Sequence, residues 1–189
     1  MKKILYFDCE TTGLDPVKND IIQIAGIVEI EGEVVDEFDF KCQPFSYSNI
    51  EPKALECNGR TIEEIKTFEQ NAMVKKAFDS VLGKHCDKFN KMDKFYPAGF
   101  NVRFDLDFLA QWFKKTGDNY LGSWINWRGI DPLLFLYAMD LKGELSLSDY
   151  KLGTVCSHFG IDNPKAHDAL SDVRATRELI RKIILGAKE

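Results

Sequence analysis

The chain has 189 residues, of which 44% are hydrophobic and 29% charged, with a net charge of −5. That length suits a single domain over residues 1–189, large enough to bury a core without a disulfide or metal staple. Its 14 Phe, 6 Tyr and 3 Trp exclude a disordered chain, and no apolar run approaches the ~20 residues of a membrane span.

Residues 4–7, Ile-Leu-Tyr-Phe, are a short apolar run and predict a buried strand. The run is too short for the core of an export signal, and Asp8 breaks it. A second apolar run, 21–28, and the alternation of Phe38, Phe40 and Cys42 with Glu37, Asp39 and Lys41 predict two further strands around a turn at Glu31-Gly32. The first 42 residues therefore predict an antiparallel three-strand meander. Residues 46–60 read as irregular, with Pro52 and Gly59 as breakers, and Thr61 to Glu64 has the spacing of a capping box.

Beyond it, 69–89 predicts a helix on Met73, Ala77, Val81 and Leu82. Residues 96–100 predict a short strand. Phe104, Phe108 and Trp112 mark a helix that Gly117 stops, and Asp131-Pro132 opens another. A helix over 147–159 ends at Gly160, and the last runs from about 168 to 185 on Ala169, Val173, Thr176, Ile180 and Ile183. Early strands followed by alternating helices and strands predict an α/β fold, a mixed sheet flanked by helices. The five cysteines are scattered and form no CxxC pair. They read as reduced thiols of a cytoplasmic protein, neither a disulfide framework nor a zinc site.

Three places carry acidic residues that packing does not explain. Asp8 and Glu10 are i and i+2 at the end of the first strand and so project to one side. Two such charges ~4 Å apart repel by about 4 kcal/mol at an effective dielectric of ~20, unless a cation sits between them or one is protonated. A charged strand end in water is the plain alternative. Thr11-Thr12-Gly13 follows, a tight turn offering hydroxyls and N–H groups. Asp105 starts a helix directly after a strand, where mixed sheets build sites; favourable helix N-terminal electrostatics is its plain alternative. Asp107, about 200° around the helix, cannot share its face. Asp168 is the expected N-cap of the last helix, with Asp172 one turn on at the edge of the buried stripe and His167 just before the cap. Together these are hard oxygen donors of the kind that select Mg²⁺ or Mn²⁺ over zinc.

In this order, residues 7–14 (Phe-Asp-Cys-Glu-Thr-Thr-Gly-Leu), 101–105 followed by Phe108-Leu109, and His167 with Asp172 after four intervening residues resemble the motifs of the DnaQ-like 3′–5′ exonucleases. The resemblance is to the His-containing subclass of the DEDD group and covers nearly the whole chain. It implies an RNase H-like fold with a five-stranded mixed sheet. It also implies two Mg²⁺ or Mn²⁺ ions held by Asp8, Glu10, Asp105 and Asp172, with His167 as general base on the attacking water. Thr11, Thr12 and Asn101 would bind substrate. The implied substrate is the 3′ end of a single strand, DNA ahead of RNA, cut to nucleoside 5′-monophosphates; a 3′–5′ exoribonuclease on the same scaffold is the alternative. The implied partner is a polymerase or other replication protein, with no membrane. Phe100 and Asn58 depart from the family pattern, where histidines are common, and this bears on the nucleotide pocket. The lysines of 84–94 and the basic residues of 174–182 are candidate phosphate contacts.

Overall fold

A computed structural model of the chain describes residues 2–184. Four strands, β1 (Lys3–Thr11), β2 (Ile21–Ile30), β3 (Glu33–Lys41) and β4 (Tyr96–Ala98), form one mixed sheet in the order β3-β2-β1-β4. The first three are the expected meander. Glu31 and Gly32 both take positive φ, 52° and 92°, as the tight reversal between antiparallel strands demands. β4 lies parallel to β1, pairing Ile4 with Tyr96 and Tyr6 with Ala98.

Among the described residues the sheet has four strands, not the five that the resemblance implies. Where a fifth would run, only single bridges occur, from Phe95 to Ile125 and from Ala98 to Ile130. Ile130 both donates to Pro97 O and accepts from Gly99 N–H. Asp131 and Pro132 follow at once and turn the chain into a helix, and Pro cannot extend a ladder.

Among the described residues seven α-helices surround the sheet: α1 (Pro52–Asn58), α2 (Ile62–Ile65), α3 (Asn71–His85), α4 (Val102–Lys115), α5 (Pro132–Leu141), α6 (Leu152–Phe159) and α7 (Ala169–Ile183). The alternation of β1 divides them. Leu5, Phe7 and Cys9 face the main core, with Phe78 of α3 and Phe108 and Trp112 of α4. Tyr6 faces the other way, against Val173 and Ile180 of α7. α5 and α6 complete that second layer by burying Leu136, Val155 and Cys156 against Ala175 and Leu179. Among the described residues no helix is long and apolar enough to cross a membrane, and all five cysteines are free thiols.

Three further expectations are corrected. Pro52 to Asn58 is helical: Pro52 occupies its first turn, and Gly59 closes it at φ 63°. The residues that read as breakers are its cap signals. α3 buries Val74, Phe78, Val81 and Leu82, while Met73 points outward, so its stripe begins one residue later than the periodicity suggested. α6 starts at Leu152, not 147, because Asp149 accepts from Lys151 N–H and holds the preceding residues in a turn. The last helix ends at Ile183 with Ile184 as its cap; residue 185, its expected end, lies outside the described residues.

Candidate active site

The strand alternation that sends Leu5, Phe7 and Cys9 into the core leaves Asp8 and Glu10 on the α7 side. There the first turn of α7 brings Asp172 to them. One carboxylate oxygen from each of Asp8, Glu10 and Asp172 lies within 4.8 Å of the others, and each side chain is half-buried. Asp168 places α7 as its N-cap, its carboxylate accepting from Ser171 N–H at 3.4 Å. Asp172 is itself oriented: Asn163 Nδ2 donates to Oδ1 at 2.6 Å and His167 N–H to Oδ2 at 3.2 Å.

Asp105 reaches the same strand from α4. It is buried, 3% exposed, and accepts from Cys9 N–H at 3.0 Å, between the two β1 carboxylates. Asp107 lies off the site in a bidentate pair with Arg103, at 2.9 and 2.8 Å. Asp105 does not join the three acids whose oxygens share the 4.8 Å cluster, and neither does His167. His167 takes φ 65° in the loop before α7, and its ring Nδ1 lies 3.8 Å from the Cys57 thiol of α1. Its main chain is therefore tied to the cluster while its ring points to α1.

The acids perturb one another in a common direction. Burial, then the Asp172 charge, pushes Asp8 up to about 7. Burial, then Asp8 and Asp172, pushes Glu10 up to about 8, with Arg60 pulling the other way. Burial and then Asp8 hold Asp105 well above the ordinary carboxylate range, against the Cys9 hydrogen bond. Burial raises Asp172 too, opposed by Asn163 and His167. A group of acids that resist joint ionisation is what a divalent cation would relieve, and the donors are all hard oxygens. The residues therefore fit a divalent metal.

The turn beyond Glu10 is rigid. Thr11 Oγ1 donates to Gly13 O at 2.7 Å, and Thr12 Oγ1 accepts from Asp20 N–H at 2.9 Å, with Thr12 fully buried. The Asn19 amide packs beneath Gly13, where a Cβ would meet it at 2.4 Å. α1 holds the turn's carbonyls: Glu51 N–H donates to Thr12 O at 2.8 Å and Asn58 Nδ2 to Thr11 O at 3.2 Å. Asn101, at φ 56°, precedes α4; its N–H donates to Asp131, and its side chain makes no capping bond.

Sequence reasoning missed Arg60, Gln23 and Asn163. Arg60 donates to Glu64 at 2.6 Å and to Gln23 Oε1 at 3.1 Å, and lies 3.8 Å from Asp168. It is thus a counter-charge beside Glu10. Gln23 pairs with Glu10 across the β1–β2 ladder. As the lone amide in an otherwise apolar run, Gln23 could have been flagged; Arg60 and Asn163 carry no local signal. The basic residues of α7 are engaged elsewhere, Arg174 with Glu37 and Arg177 and Arg181 with Glu29.

The sequence pattern of the RNase_T exonuclease family matches residues 5–180. DNA polymerase III PolC-type of Halalkalibacterium halodurans is 30% identical over 190 residues, covering 99% of this chain and 12% of that protein. The PolC-type polymerase of Thermotoga petrophila is 27% identical over 177 residues, covering 94% and 11%. The chain thus spans 11–12% of the length of these relatives. E. coli exonuclease I in complex with a dT13 oligonucleotide has the same fold, with a TM-score of 0.77 and 25% identity over 97% of this chain and 42% of that one.

Proposed function

The chain belongs to the exonuclease family, and from that premise we propose that it is a metal-dependent 3′–5′ exonuclease. It removes nucleoside 5′-monophosphates from the 3′ end of single-stranded DNA. The observation that carries this reading is the convergence of Asp8, Glu10 and Asp172 within 4.8 Å at the end of β1. The oligonucleotide bound in the exonuclease I complex supports a single-stranded substrate. The PolC-type relatives, polymerases by name, support proofreading beside a polymerase as the setting.

Asp8, Glu10 and Asp172 would hold two Mg²⁺ or Mn²⁺ ions, with Asp105 behind them on the Cys9 N–H. Bound ions would supply Lewis-acid activation of the scissile phosphate and the attacking water and offset the charge that develops on them. Asn163 and the His167 N–H fix the rotamer of Asp172, and Arg60 limits the repulsion at Glu10. The Thr11–Gly13 turn, braced from below by Asn19 and α1, forms the floor on which the terminal nucleotide rests, and Asn101, at the start of α4, is a further substrate contact. His167 accepts a proton from the attacking water at a ring nitrogen, which requires its side chain to turn from Cys57 toward the carboxylates while its N–H stays on Asp172.

The test is digestion of 5′-labelled DNA and RNA oligomers of one sequence, with Mg²⁺ or with EDTA. A ladder shortening from the 3′ end of DNA, abolished by EDTA, is the expected result. Preference for RNA would make the enzyme an exoribonuclease, and full activity in EDTA would end the metal-dependent reading.

A further inference from the structure

The end of the sheet opposite the carboxylates carries a second feature. There the segment between α3 and β4 packs beside the segment that follows α4. Lys3, at the start of β1, donates to the His85 carbonyl and pairs with Asp93, which fixes this region to the far end of the strand from Glu10. Two adjoining grooves, about 550 and 320 Å³, share Lys88, Phe89 and Trp124 as common walls. Phe89 is 86% exposed and Tyr120, on the smaller groove, 73%. Lys88 Nζ lies 5.4 Å from the ring centres of both Phe89 and Trp124.

The charges around these rings are arranged unevenly. Asp93 pairs with Lys3, and Asp118 shares Lys75 with Asp79. Lys84 is held by Asp36. Asp87 accepts from Phe89 N–H and shapes the loop. Lys88, held between the Phe89 and Trp124 rings with the Asp118 charge nearby, makes no ion pair among the described residues. Exposed rings next to the Lys88 ammonium match a strand that offers π-faces and phosphates in alternation. An acidic or purely apolar protein surface would use only half of that chemistry.

We infer that this groove binds the upstream, 5′-ward part of the single strand whose 3′ end lies at the carboxylates, an inference that rests on the nuclease reading above. The bases stack on Phe89 and Tyr120, and Lys88 meets the phosphates. From Lys3 to Glu10 the strand rises ~3.3 Å per residue, so the two places are roughly 20 Å apart or more. At ~3.4 Å per stacked nucleotide, a strand of about three nucleotides spans only roughly 10 Å and is too short to reach both, and one of about thirty is long enough.

The test uses 3′-phosphorylated oligothymidylates of about three and about thirty nucleotides, with binding read by fluorescence anisotropy in EDTA. Phe89→Ala combined with Lys88→Glu is expected to weaken the long strand by about tenfold or more and leave the short one unchanged. Tyr120→Ala is expected to act in the same direction. With Mg²⁺ and free 3′ ends, KM for the long strand rises in the double variant while kcat and cleavage of the short strand are unaltered. Unchanged affinity for the long strand, or equal losses for both lengths, would overturn the groove. So would a variant that alters only self-association. A wild-type protein that binds long strands through these residues but cuts nothing would defeat the nuclease reading and leave the groove standing.

Discussion

Cys9 N–H donates to Asp105 Oδ1 at 3.0 Å, between the two carboxylates of β1. The bond makes one acidic side chain both a brace between α4 and β1 and a member of the acidic site. The two roles can be separated. In Asp105→Asn the amide oxygen still accepts from Cys9 while the charge is gone. Metal-free stability is expected to hold or rise and nuclease activity to collapse. Asp105→Ala leaves a buried N–H unpaired and is expected to cost about 1–3 kcal/mol in urea unfolding. Equal destabilisation by both substitutions would assign Asp105 to structure alone.

The raised acids make metal-free stability depend on pH with a definite sign. Asp8 and Glu10 are pushed up to about 7 and about 8 in the folded protein, by burial first and neighbouring acids second, whereas an unfolded carboxylate titrates near ~4. The folded state therefore binds more protons across that window, and stability falls as pH rises through it. Their contribution is complete below pH ~4 and lost by pH ~8. Melting curves in EDTA should show the protein less stable at pH 8 than at pH 5. Mg²⁺ should remove the difference, and Asp8→Asn should flatten it. A melting temperature in EDTA that rises over this range would contradict the acidic cluster.

The parts of this site that follow a period were legible in the sequence, and those that depend on a loop were not. Asp8 and Glu10 stand two apart on a strand, and Asp172 stands one turn beyond a capping Asp168, so residue spacing alone sets the direction of each side chain. Asp105 was separable from Asp107 because two residues on a helix point apart. The position of the His167 ring was not legible, since a loop residue at φ 65° has no periodic neighbour to orient it. The same holds for Asn163 and Arg60, which meet Asp172 and Asp168 only through tertiary folding. The short α1 and the missing fifth strand turn on Pro and Gly, whose meaning depends on whether they cap an element or break it.

Arg60 is the cation held against this acidic group, fixed by Glu64, Gln23 and Asp168. Arg60→Gln removes the charge and leaves partly buried acids unpaired. A loss of about 1–3 kcal/mol corresponds to roughly 2–10 °C in metal-free melting temperature for a domain of this size. The stabilisation gained on adding Mg²⁺ is expected to grow in this variant, because the ions then offset more repulsion. A smaller gain than in the wild type would show that Arg60 shapes the carboxylates more than it balances them.

His167 ties its main chain to Asp172 and turns its ring to Cys57. Its φ of 65° lies in the left-handed region, which Asn adopts more readily than Ala. His167→Asn is therefore the cleaner deletion of the imidazole, and it retains the N–H that orients Asp172. A loss of about 10²–10⁴-fold in rate is expected, the usual worth of a positioned acid–base group. The Mg²⁺-induced rise in melting temperature is expected to remain, because Asp8, Glu10, Asp105 and Asp172 are intact. Cys57→Ser, which alters only the partner of the ring in this arrangement, should keep the rate. Loss of the Mg²⁺ response in His167→Asn would make the residue a ligand or a prop for Asp172. An unchanged rate would remove the imidazole from proton transfer.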